Sequence, residues 1–441
     1  MCDTFFIPAN QNIYQANLLC KNSDREPNEA QAIQHLNRKK HKEKTLKTTY
    51  IVIPQVSETY EAYICKPFFM WGAEMGVNEW GVSIGNEAVF TKIPFNKNNS
   101  GLTGMDLIRL ALERKETAKK SLEYIIELIE IYGQDACGGY ENKNFYYHNS
   151  FLIVDKKEAF VLETAGKFWA YKKIKDFYSI SNGLTLTNDY DEIHLEAIHF
   201  AKNKKWFPSN QEDFNFKNSF SDTFYTYFSK CNVRRSLTQK IANHDKIQLM
   251  DCIKTLQSHG ENPQNKLDSM ESICLHSGGI LTPSETTGSM ISVLRKNLIT
   301  VWLTGTSHPC LSLYKPFYFG SKVLESLSVP SQKFDSSLWW TAEFIHRMLL
   351  ENYPSLQEDY KNELTELQQE LIQLDKQLSI NKNISTKELD EISIYALKRE
   401  KEILLKWKFE LAKQKRKFSI NFKRPIYSIY RKRLNQKAGF N

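Results

Sequence analysis

The chain has 441 residues, of which 41% are hydrophobic and 25% are charged, a composition typical of a globular protein that buries a large core. No apolar run approaches the roughly 18 residues that a membrane-spanning helix requires, and the first residues lack the basic segment of a secretory signal. The eight cysteines include no CxxC pair, which argues against a zinc ribbon or a disulfide framework and favours a reducing cytoplasm.

The net charge of +8 is distributed unevenly along the chain. Residues 397–441 contain 15 lysines and arginines against 3 acidic residues, a balance of +12. The preceding 396 residues hold the remaining 44 basic and 48 acidic residues, a balance of −4. The body of the protein is therefore mildly acidic, and its end is strongly basic.

The first part of the chain predicts β-strands. β-branched and aromatic residues dominate 48–56 and 60–68, and the intervening "SET" predicts a hairpin between these two segments. Another strand, interrupted by a glycine, is predicted over 81–90. Segments 149–155 and 158–164 flank a pair of lysines and predict a second hairpin.

Three helices are predicted among these strands. Apolar residues recur at helical spacing over 103–114, where Thr103 is a candidate N-cap. A second helix is predicted over 121–133, ending at Gly133. A third is predicted over 247–259.

Beyond Pro316 the pattern becomes helical, beginning with an amphipathic helix over 336–354. The next leucines follow a 3-4-3-4 spacing, which is typical of a short coiled-coil seam or of a helix packed on its own domain, the second being favoured. The leucines are Leu364, Leu367, Leu371, Leu374 and Leu378. We therefore divide the chain into a first domain (1–325), a helical segment (326–396) and a basic, aromatic-rich tail (397–441).

Cys2 lies directly behind Met1. A thiol attacks as its thiolate, and its ordinary pKa of about 8.5 leaves it mostly protonated at neutral pH. If Met1 is removed, Cys2 gains a free α-amine, whose pKa near ~7.7–8.0 makes it a built-in base for the thiol. The alternative is that Cys2 is simply the second residue of a protein, and this motif alone favours that alternative.

Several longer segments favour the catalytic role of Cys2. "MCDTFF" and "CKNSDREPNEAQ" resemble the start of secernins and related N-terminal-nucleophile cysteine dipeptidases. "WGAEMGVNEWGVSIGNEAV", "FLIVDKKEAFVLETAGKFWA" and "HPCLSLYKPFYFG" resemble secernins as well. The resemblance extends from residue 1 to about 320, with a weaker similarity over 336–375.

The resemblance implies an α+β fold, a four-layer αββα sandwich in which two stacked sheets are covered by helices on both outer faces. It implies amide hydrolysis through an acyl-enzyme on Cys2, with no cofactor and no metal. The expected activity is that of a cysteine-type dipeptidase, an exopeptidase, acting on a small peptide or acyl-amide in the cytoplasm.

The resemblance also implies roles for individual residues. Asp24 would hold and orient the α-amine, and Lys21 would place a positive charge near the thiol and so lower its pKa. Asn86, through its backbone N–H, and Asn182, through its side-chain amide, would stabilise the oxyanion. Without the resemblance, both asparagines would be assigned to turns, because each lies beside a glycine.

An arginine in "CNVRRSL" would contact the amine, and the sequence leaves open whether it is Arg234 or Arg235. His148, His276 and His308 are scattered, and we interpret each as a structural histidine rather than a metal ligand.

Two other functions share these features. One is a non-catalytic, secernin-like regulator of exocytosis or membrane traffic; the other is an acyltransferase that uses the same nucleophile. Because both Cys2 and Asp24 are present, an active enzyme is favoured. The tail mixes cations with aromatic residues and is a candidate for weak contact with an anionic membrane, although a structural helix is favoured. No nucleic-acid partner is expected, and an oligomer is compatible with the sequence.

Overall fold

The structure is a computed structural model, and it describes residues 1–207, 213–260, 269–279, 282–351, 354–381, 383–414 and 425–440. Its strands, in chain order, are β1 Cys2–Ile7, β2 Asn17–Arg25, β3 Gln31–Leu36, β4 Lys39–Lys40, β5 Thr45–Lys47, β6 Val52–Pro54, β7 Glu58–Thr59, β8 Ala62–Pro67, β9 Met75–Asn78, β10 Ser83–Val89, β11 His148–Val154, β12 Ala159–Ala165, β13 Phe168–Ile174, β14 Tyr178–Ile180, β15 Glu192–Ile193, β16 Glu285–Leu294, β17 Ile299–Leu303 and β18 Lys315–Tyr318.

The helices follow the same numbering in chain order. They are α1 Gly104–Arg114, α2 Ala118–Tyr132, α3 Ala197–Asn203, α4 Phe216–Phe220, α5 Thr223–Phe228, α6 Cys231–Gln239, α7 Leu249–Leu256, α8 Leu338–Glu351, α9 Gln357–Ile380, α10 Thr386–Lys413 and α11 Pro425–Ala438.

A six-stranded antiparallel sheet contains the N-terminal strand, in the order β14-β1-β2-β16-β17-β18. In its register Cys2 lies opposite Ser23 on β2, and Asp24 lies opposite Thr286 on β16. β1 lies between β14 and β2 and is paired with both. Its first residue lies beside the end of β2.

An eight-stranded antiparallel sheet faces the first, in the order β15-β13-β12-β11-β10-β9-β8-β3. One apolar core contains Phe6 and Leu19 of the first sheet together with Leu152 and Val161 of the second. The sheets approach closely at Gly85, where a Cβ atom would lie 2.7 Å from the Cδ atom of Lys21. A larger residue at position 85 would force the Lys21 side chain to move.

Helices cover both outer faces. α1 and α2 pack on the eight-stranded sheet through a core that includes Leu107 and Ile125. α7, α8, α9 and α10 pack on the six-stranded sheet through another core, which includes Ile253, Ile345 and Trp407. The order helix, sheet, sheet, helix is the four-layer αββα sandwich that the resemblance implied, and the fold prediction is confirmed.

Local signals placed most helices correctly. Thr103 caps α1 in a reciprocal capping box with Asp106, and α2 ends at Gly133, whose φ of 67° lies in the left-handed region. The predicted hairpin between 149–155 and 158–164 is present as β11 and β12.

The predicted hairpin between 48–56 and 60–68 is wrong. β6 pairs with β5 across a turn closed by the Thr48 N–H and the Ile51 carbonyl, whereas β8 pairs with β3 and β9. The alternating pattern identified strand residues, but the same pattern suits any partner strand, so it did not identify the partner.

The C-terminal region does not divide where its charge changes. The boundary drawn at 396 and 397 falls inside α10, whose buried residues continue through Trp407 and Leu411. The described part of α11 is also anchored, because buried Arg431 forms ion pairs with Glu285 and Glu351. Membrane contact of the tail stays a prediction, and residues 415–424 lie outside the described residues.

The leucine seam lies on α9, and four of its five leucines are buried: Leu364, Leu367, Leu371 and Leu378. They pack with the protein's own sheet and helices. Among the described helices, none is both long enough and apolar enough to cross a bilayer.

Candidate active site at the N-terminal strand

The sheet register fixes the surroundings of Cys2. Alternation along β1 places its side chain on the same face as Phe6, toward the second sheet. Its Sγ atom accepts a hydrogen bond from the Asp24 backbone N–H at 3.2 Å, and its own N–H donates to Asn182 Oδ1 at 2.9 Å. Only 6% of Cys2 is exposed.

Asp24 is a buried carboxyl group with one oxygen engaged. Thr286 Oγ1 donates to Asp24 Oδ1 at 2.6 Å, whereas Oδ2 is buried without a partner among the described residues. Burial raises the pKa of Asp24 to about 6, although the N-terminal ammonium and Arg234 oppose the shift. The free oxygen is an acceptor close to the start of the chain.

Of the two candidate arginines, the structure brings Arg234 to the site. Its guanidinium donates to the Cys2 carbonyl at 3.2 Å, to Asp3 Oδ2 at 2.7 Å and to Asn182 Oδ1 at 2.7 Å. Arg235, on another face of α6, donates instead to the Ser179 carbonyl. Arg234 therefore links β1 to the Asn182 turn.

Both asparagines lie in the same region. The Asn182 amide nitrogen donates to the Ala88 carbonyl at 2.8 Å, while its oxygen receives the Cys2 N–H and Arg234. Asn86, on β10, donates through its amide to Asn149 Oδ1 at 2.8 Å. The Asn86 bond involves its side chain and not the backbone N–H to which the oxyanion role is assigned, and the oxyanion roles of both residues stay predictions.

Lys21 is buried between the two sheets. Its ammonium donates to the Asn86 carbonyl at 2.5 Å and lies 3.4 Å from Glu87. Burial lowers the pKa of Lys21, but the neighbouring Cys2 and Glu87 together raise it by a larger amount. The net shift is therefore upward, and the lysine stays cationic. Burial raises the pKa of Glu87 to about 8, against the effect of Lys21.

The thiol itself is not activated in the chain that retains Met1. Burial raises the pKa of Cys2 to about 12, and the opposing effect of Lys21 is smaller. The expected effect of Lys21 is present, since its charge lowers the thiol pKa, but burial raises that pKa by more, because removal from water destabilises the thiolate more than Lys21 stabilises it.

The sequence interpretation missed three contributors. Asp3 pairs with Arg234, Glu87 contacts Lys21 and the Thr4 hydroxyl, and Thr286 orients Asp24. A signal existed for Asp3, because it is the single charge in the apolar strand "CDTFFI". Nothing in the sequence around Thr286 indicated its role.

A second polar cluster lies on the other side of Thr286. His259, Cys274, His276 and Cys310 each place a donor atom within 4.8 Å of the others, and the described cysteines are all free thiols. The interpretation of His276 as an isolated structural histidine did not anticipate this cluster. His148 does fit a structural role: its ring contacts Thr91 and Phe95, and burial lowers its pKa to about 3.

Comparison with known proteins identifies the family. Residues 22–266, which are 245 of the 441, match the model of peptidase family C69. The chain belongs to peptidase family C69. This family includes secernins and dipeptidases, and membership makes the chain a cysteine amidohydrolase. The match includes Asp24, Asn86, Asn182 and Arg234, but it begins after Cys2 and Lys21.

Three solved structures are similar to this C69 chain at low identity. The C2A mutant of conjugated bile acid hydrolase from Clostridium perfringens has a TM-score of 0.37 and 10% identity, over 68% of this chain and 88% of that one. Penicillin V acylase from Agrobacterium tumefaciens has a TM-score of 0.38 and 10% identity, over 73% of this chain and 86% of that one. The Caenorhabditis elegans ortholog of N-acylethanolamine-hydrolyzing acid amidase has a TM-score of 0.36 and 7% identity, over 66% of this chain and 92% of that one.

Proposed function

We propose that this protein is a cysteine-type dipeptidase in which Cys2, after removal of Met1, is the nucleophile. The observation that carries the proposal is the position of Cys2 at the start of β1, where its nitrogen and its sulfur both face buried polar groups. The nitrogen meets Asn182 Oδ1, and the sulfur meets the Asp24 N–H. Membership of a peptidase family supports an amide substrate.

Removal of Met1 would convert the Cys2 peptide nitrogen into an amine at the same place. Asn182 Oδ1 already accepts a hydrogen bond from this nitrogen, and Asp24 Oδ2 is a buried acceptor without a partner among the described residues. Both groups would orient the amine so that its lone pair is directed at the thiol. The amine then acts as general base, because its ordinary pKa near ~7.7–8.0 suits neutral pH.

The reaction would proceed in two stages. The amine takes the thiol proton as Sγ attacks the substrate carbonyl carbon, and the new ammonium donates that proton to the departing amine. Water, deprotonated by the same amine, then hydrolyses the thioester and releases the acid, and the ammonium returns the proton to Sγ, which restores the free thiol and amine. Transfer of the proton during attack suits a thiol whose pKa burial has raised, because no free thiolate has to form beforehand.

Oxyanion stabilisation is assigned to the Asn86 backbone N–H and to the second N–H of the Asn182 amide. The first N–H of that amide is occupied by Ala88, so one donor is left for the substrate. Arg234 would hold Asn182 in place through its bond to Oδ1. Removing one oxyanion donor costs about 10²–10³-fold in kcat in other hydrolases.

A small substrate is favoured by the limited exposure of the nucleophile. Cys2 has 6% of its surface accessible while Met1 is present, so a dipeptide or a small acyl-amide fits this site better than a folded protein. We place the activity in the cytoplasm, since the described cysteines are free thiols and such thiols persist in a reducing compartment.

The test combines processing with turnover. Intact mass spectrometry establishes whether Met1 is absent, and the processed protein is assayed on a panel of dipeptides and N-acyl amides. We expect Cys2→Ala to abolish hydrolysis and Asp24→Asn to reduce it strongly while the protein stays folded. The matched control is Cys65→Ala, because Cys65 is an equally buried free thiol, on β8 of the other sheet.

Three outcomes would contradict the proposal. Retention of Met1 in an active protein would exclude the α-amine as base. Full turnover by Cys2→Ala would exclude the nucleophile. If the processed protein hydrolyses nothing, transfer of an acyl group to an added amine would identify an acyltransferase, and failure of both reactions would favour the non-catalytic, secernin-like role.

A further inference from the structure

Three separate segments bring two cysteines and two histidines together. His259 follows α7, Cys274 and His276 flank Leu275 in the segment before β16, and Cys310 lies in the short helical turn Pro309–Leu311. Cys274 is fully buried and His276 nearly so, whereas His259 and Cys310 are partly accessible. The cluster therefore lies at the edge of the core, where an ion can enter.

The short contacts in this cluster exceed what hydrogen bonding explains. The Nε2 atom of His276 lies 3.1 Å from His259 Nε2, 3.7 Å from Cys274 Sγ and 3.4 Å from Cys310 Sγ. An imidazole nitrogen has either one proton or one lone pair, so it makes one good hydrogen bond. The three contacts all involve His276 Nε2, and the four donor atoms lie within 4.8 Å of one another, which is close enough for all four to bind one ion.

These separations match a tetrahedral metal site. With Zn–S near 2.3 Å and Zn–N near 2.0–2.1 Å, tetrahedral angles place two nitrogen ligands about 3.3 Å apart and a nitrogen and a sulfur about 3.5 Å apart. The observed values of 3.1, 3.4 and 3.7 Å lie within a few tenths of these distances.

The backbone around the four residues is already organised. The Ser258 carbonyl, just before His259, accepts the N–H groups of Ile273 and Cys274 at 3.0 and 2.8 Å. Gln257 donates to the Pro309 carbonyl at 3.0 Å, beside Cys310. Hydrogen bonds thus tie the three segments to one another next to three of the four ligands, which are His259, Cys274 and Cys310.

A neighbouring cluster shows what a non-metal arrangement looks like. Glu285, His308 and Glu343 also lie close together, but arginines neutralise their carboxylates. Arg431 pairs with Glu285 at 3.1 Å, and Arg347 pairs with Glu343 at 2.5 Å. The cluster of two cysteines and two histidines contains no carboxylate for an arginine to neutralise.

We infer that His259, Cys274, His276 and Cys310 form a structural zinc site. Two imidazole nitrogens and two sulfurs are the ligands of closed tetrahedral zinc centres. On binding, each thiol releases its proton to solvent, so two thiolates balance the charge of Zn²⁺ and the buried site is neutral. No electron is transferred, and four protein ligands leave no position for a substrate.

The site is positioned to support Asp24. The Leu275 N–H, between two of the ligands, donates to Thr286 Oγ1 at 2.9 Å, and that hydroxyl donates to Asp24 Oδ1. The zinc ion would fix the segment that orients Thr286 and, through it, the carboxyl group. The inference does not depend on the proposed dipeptidase activity, because metal content is measured directly.

Elemental analysis of the purified full chain tests the inference. We expect about one zinc per chain after dialysis, as for other closed Cys₂His₂ sites, and a tetrahedral thiolate spectrum when Co²⁺ replaces it. Cys274→Ser and Cys310→Ser should each weaken binding by more than the roughly 10–100-fold that loss of an orienting partner costs. Cys65→Ser, a buried thiol outside the cluster, should keep the metal.

A second measurement needs no variant and so does not depend on folding of the mutants. In the wild type, chelation should release zinc and expose two additional thiols per ion to a thiol reagent, and it should lower the Tm. The inference is overturned if the protein takes up no zinc, if both serine variants bind it like the wild type, or if the protein as purified has a Cys274–Cys310 disulfide in place of the metal.

Discussion

Cys2 and Cys310 belong to two polar clusters that Thr286 connects, and their surroundings differ in kind. The cationic neighbours of Cys2 already have partners: Arg234 binds Asp3, and Lys21 binds Glu87 and a carbonyl. Around Cys310 the neighbours are imidazole nitrogens and a second sulfur, all within 4.8 Å of one another. The first thiol needs a base to become reactive, whereas the second would release its proton to solvent on binding a metal.

This difference shows that a nearby cation is a poor guide to thiol reactivity. Lys21 lies close enough to affect Cys2, yet burial has the larger effect on the thiol pKa. What distinguishes the two cysteines is the geometry of the donors around them. Thr286 contacts the supporting segment of one cluster and the carboxyl group of the other, so the two sites can be separated by substitution.

The largest expected effect separates the two cysteines by function. Cys2→Ala should reduce hydrolysis by at least about 10⁴-fold, in line with the loss of a nucleophile in other hydrolases, while zinc content stays at the wild-type level. Cys310→Ala should lose zinc. Measurement of turnover and metal content on the same samples checks this, and loss of zinc from Cys2→Ala would contradict the separation.

A second pair of substitutions tests whether the basic region beginning at residue 397 is packed on the rest of the protein or forms a separate module. Trp407 on α10 is buried against Tyr360, with ring centres 5.5 Å apart, so Trp407→Ala should lower the free energy of unfolding by about 3–5 kcal/mol. Phe409, on the same helix, is 63% exposed, and Phe409→Ala should change it by less than about 0.5 kcal/mol.

Chemical denaturation of the full chain measures both variants, followed by a vesicle-sedimentation assay. If this part of the basic region were a separate module, Trp407→Ala would leave the unfolding midpoint unchanged. Reduced sedimentation of Phe409→Ala with anionic vesicles would instead favour the predicted membrane contact, which salt should weaken.

Substitution of Thr286, which links the two clusters, should have a smaller effect on stability and turnover. Thr286→Val removes the hydroxyl that binds Asp24 and accepts the Leu275 N–H, which leaves buried polar groups unpaired at a cost of roughly 1–3 kcal/mol. Thr287→Val is the control, because its hydroxyl makes a longer bond, 3.3 Å, to the Ser23 carbonyl. Thermal melts and turnover of both variants should show the larger loss for Thr286→Val; equal losses would remove Thr286 as the specific link.

The smallest effect concerns the pH dependence of stability. The folded chain with Met1 has an Asp24 pKa raised to about 6 by burial, so between the ordinary aspartate pKa near ~3.9 and 6 it binds more protons than the unfolded chain. Its stability should therefore fall as pH rises through this window. Asp24→Asn removes this titration. The difference in Tm, variant minus Met1-bearing wild type, should therefore be more positive at pH 7 than at pH 4.

Removal of Met1 sharpens this prediction. An ammonium on Cys2 would lie beside the free Asp24 oxygen and favour the carboxylate, so the pH slope of the processed wild type should be shallower. Identical slopes for the processed and unprocessed proteins would argue that the amine does not contact Asp24.

Local sequence signals predicted the parts of the fold that local interactions stabilise. The capping box of α1 and the glycine end of α2 each depend on residues a few positions apart, and the hairpin of β11 and β12 closes over two lysines. The incorrect hairpin at 48–68 failed because pairing of β8 depends on distant β3. The choice between Arg234 and Arg235 likewise required the orientation of α6 against β1.

The position of Cys2 directly behind Met1 is read from the sequence, and the resemblance of long segments indicated the family and the sandwich fold. The surroundings of each thiol depend on how distant strands and loops pack together. The ligand cluster joins residues separated by 15, 2 and 34 positions, a spacing that matches no local pattern. The antiparallel register of β2 with β1 and β16 places Asp24 between Cys2 and Thr286, because side-chain neighbours across a sheet are set by strand pairing rather than by distance along the chain.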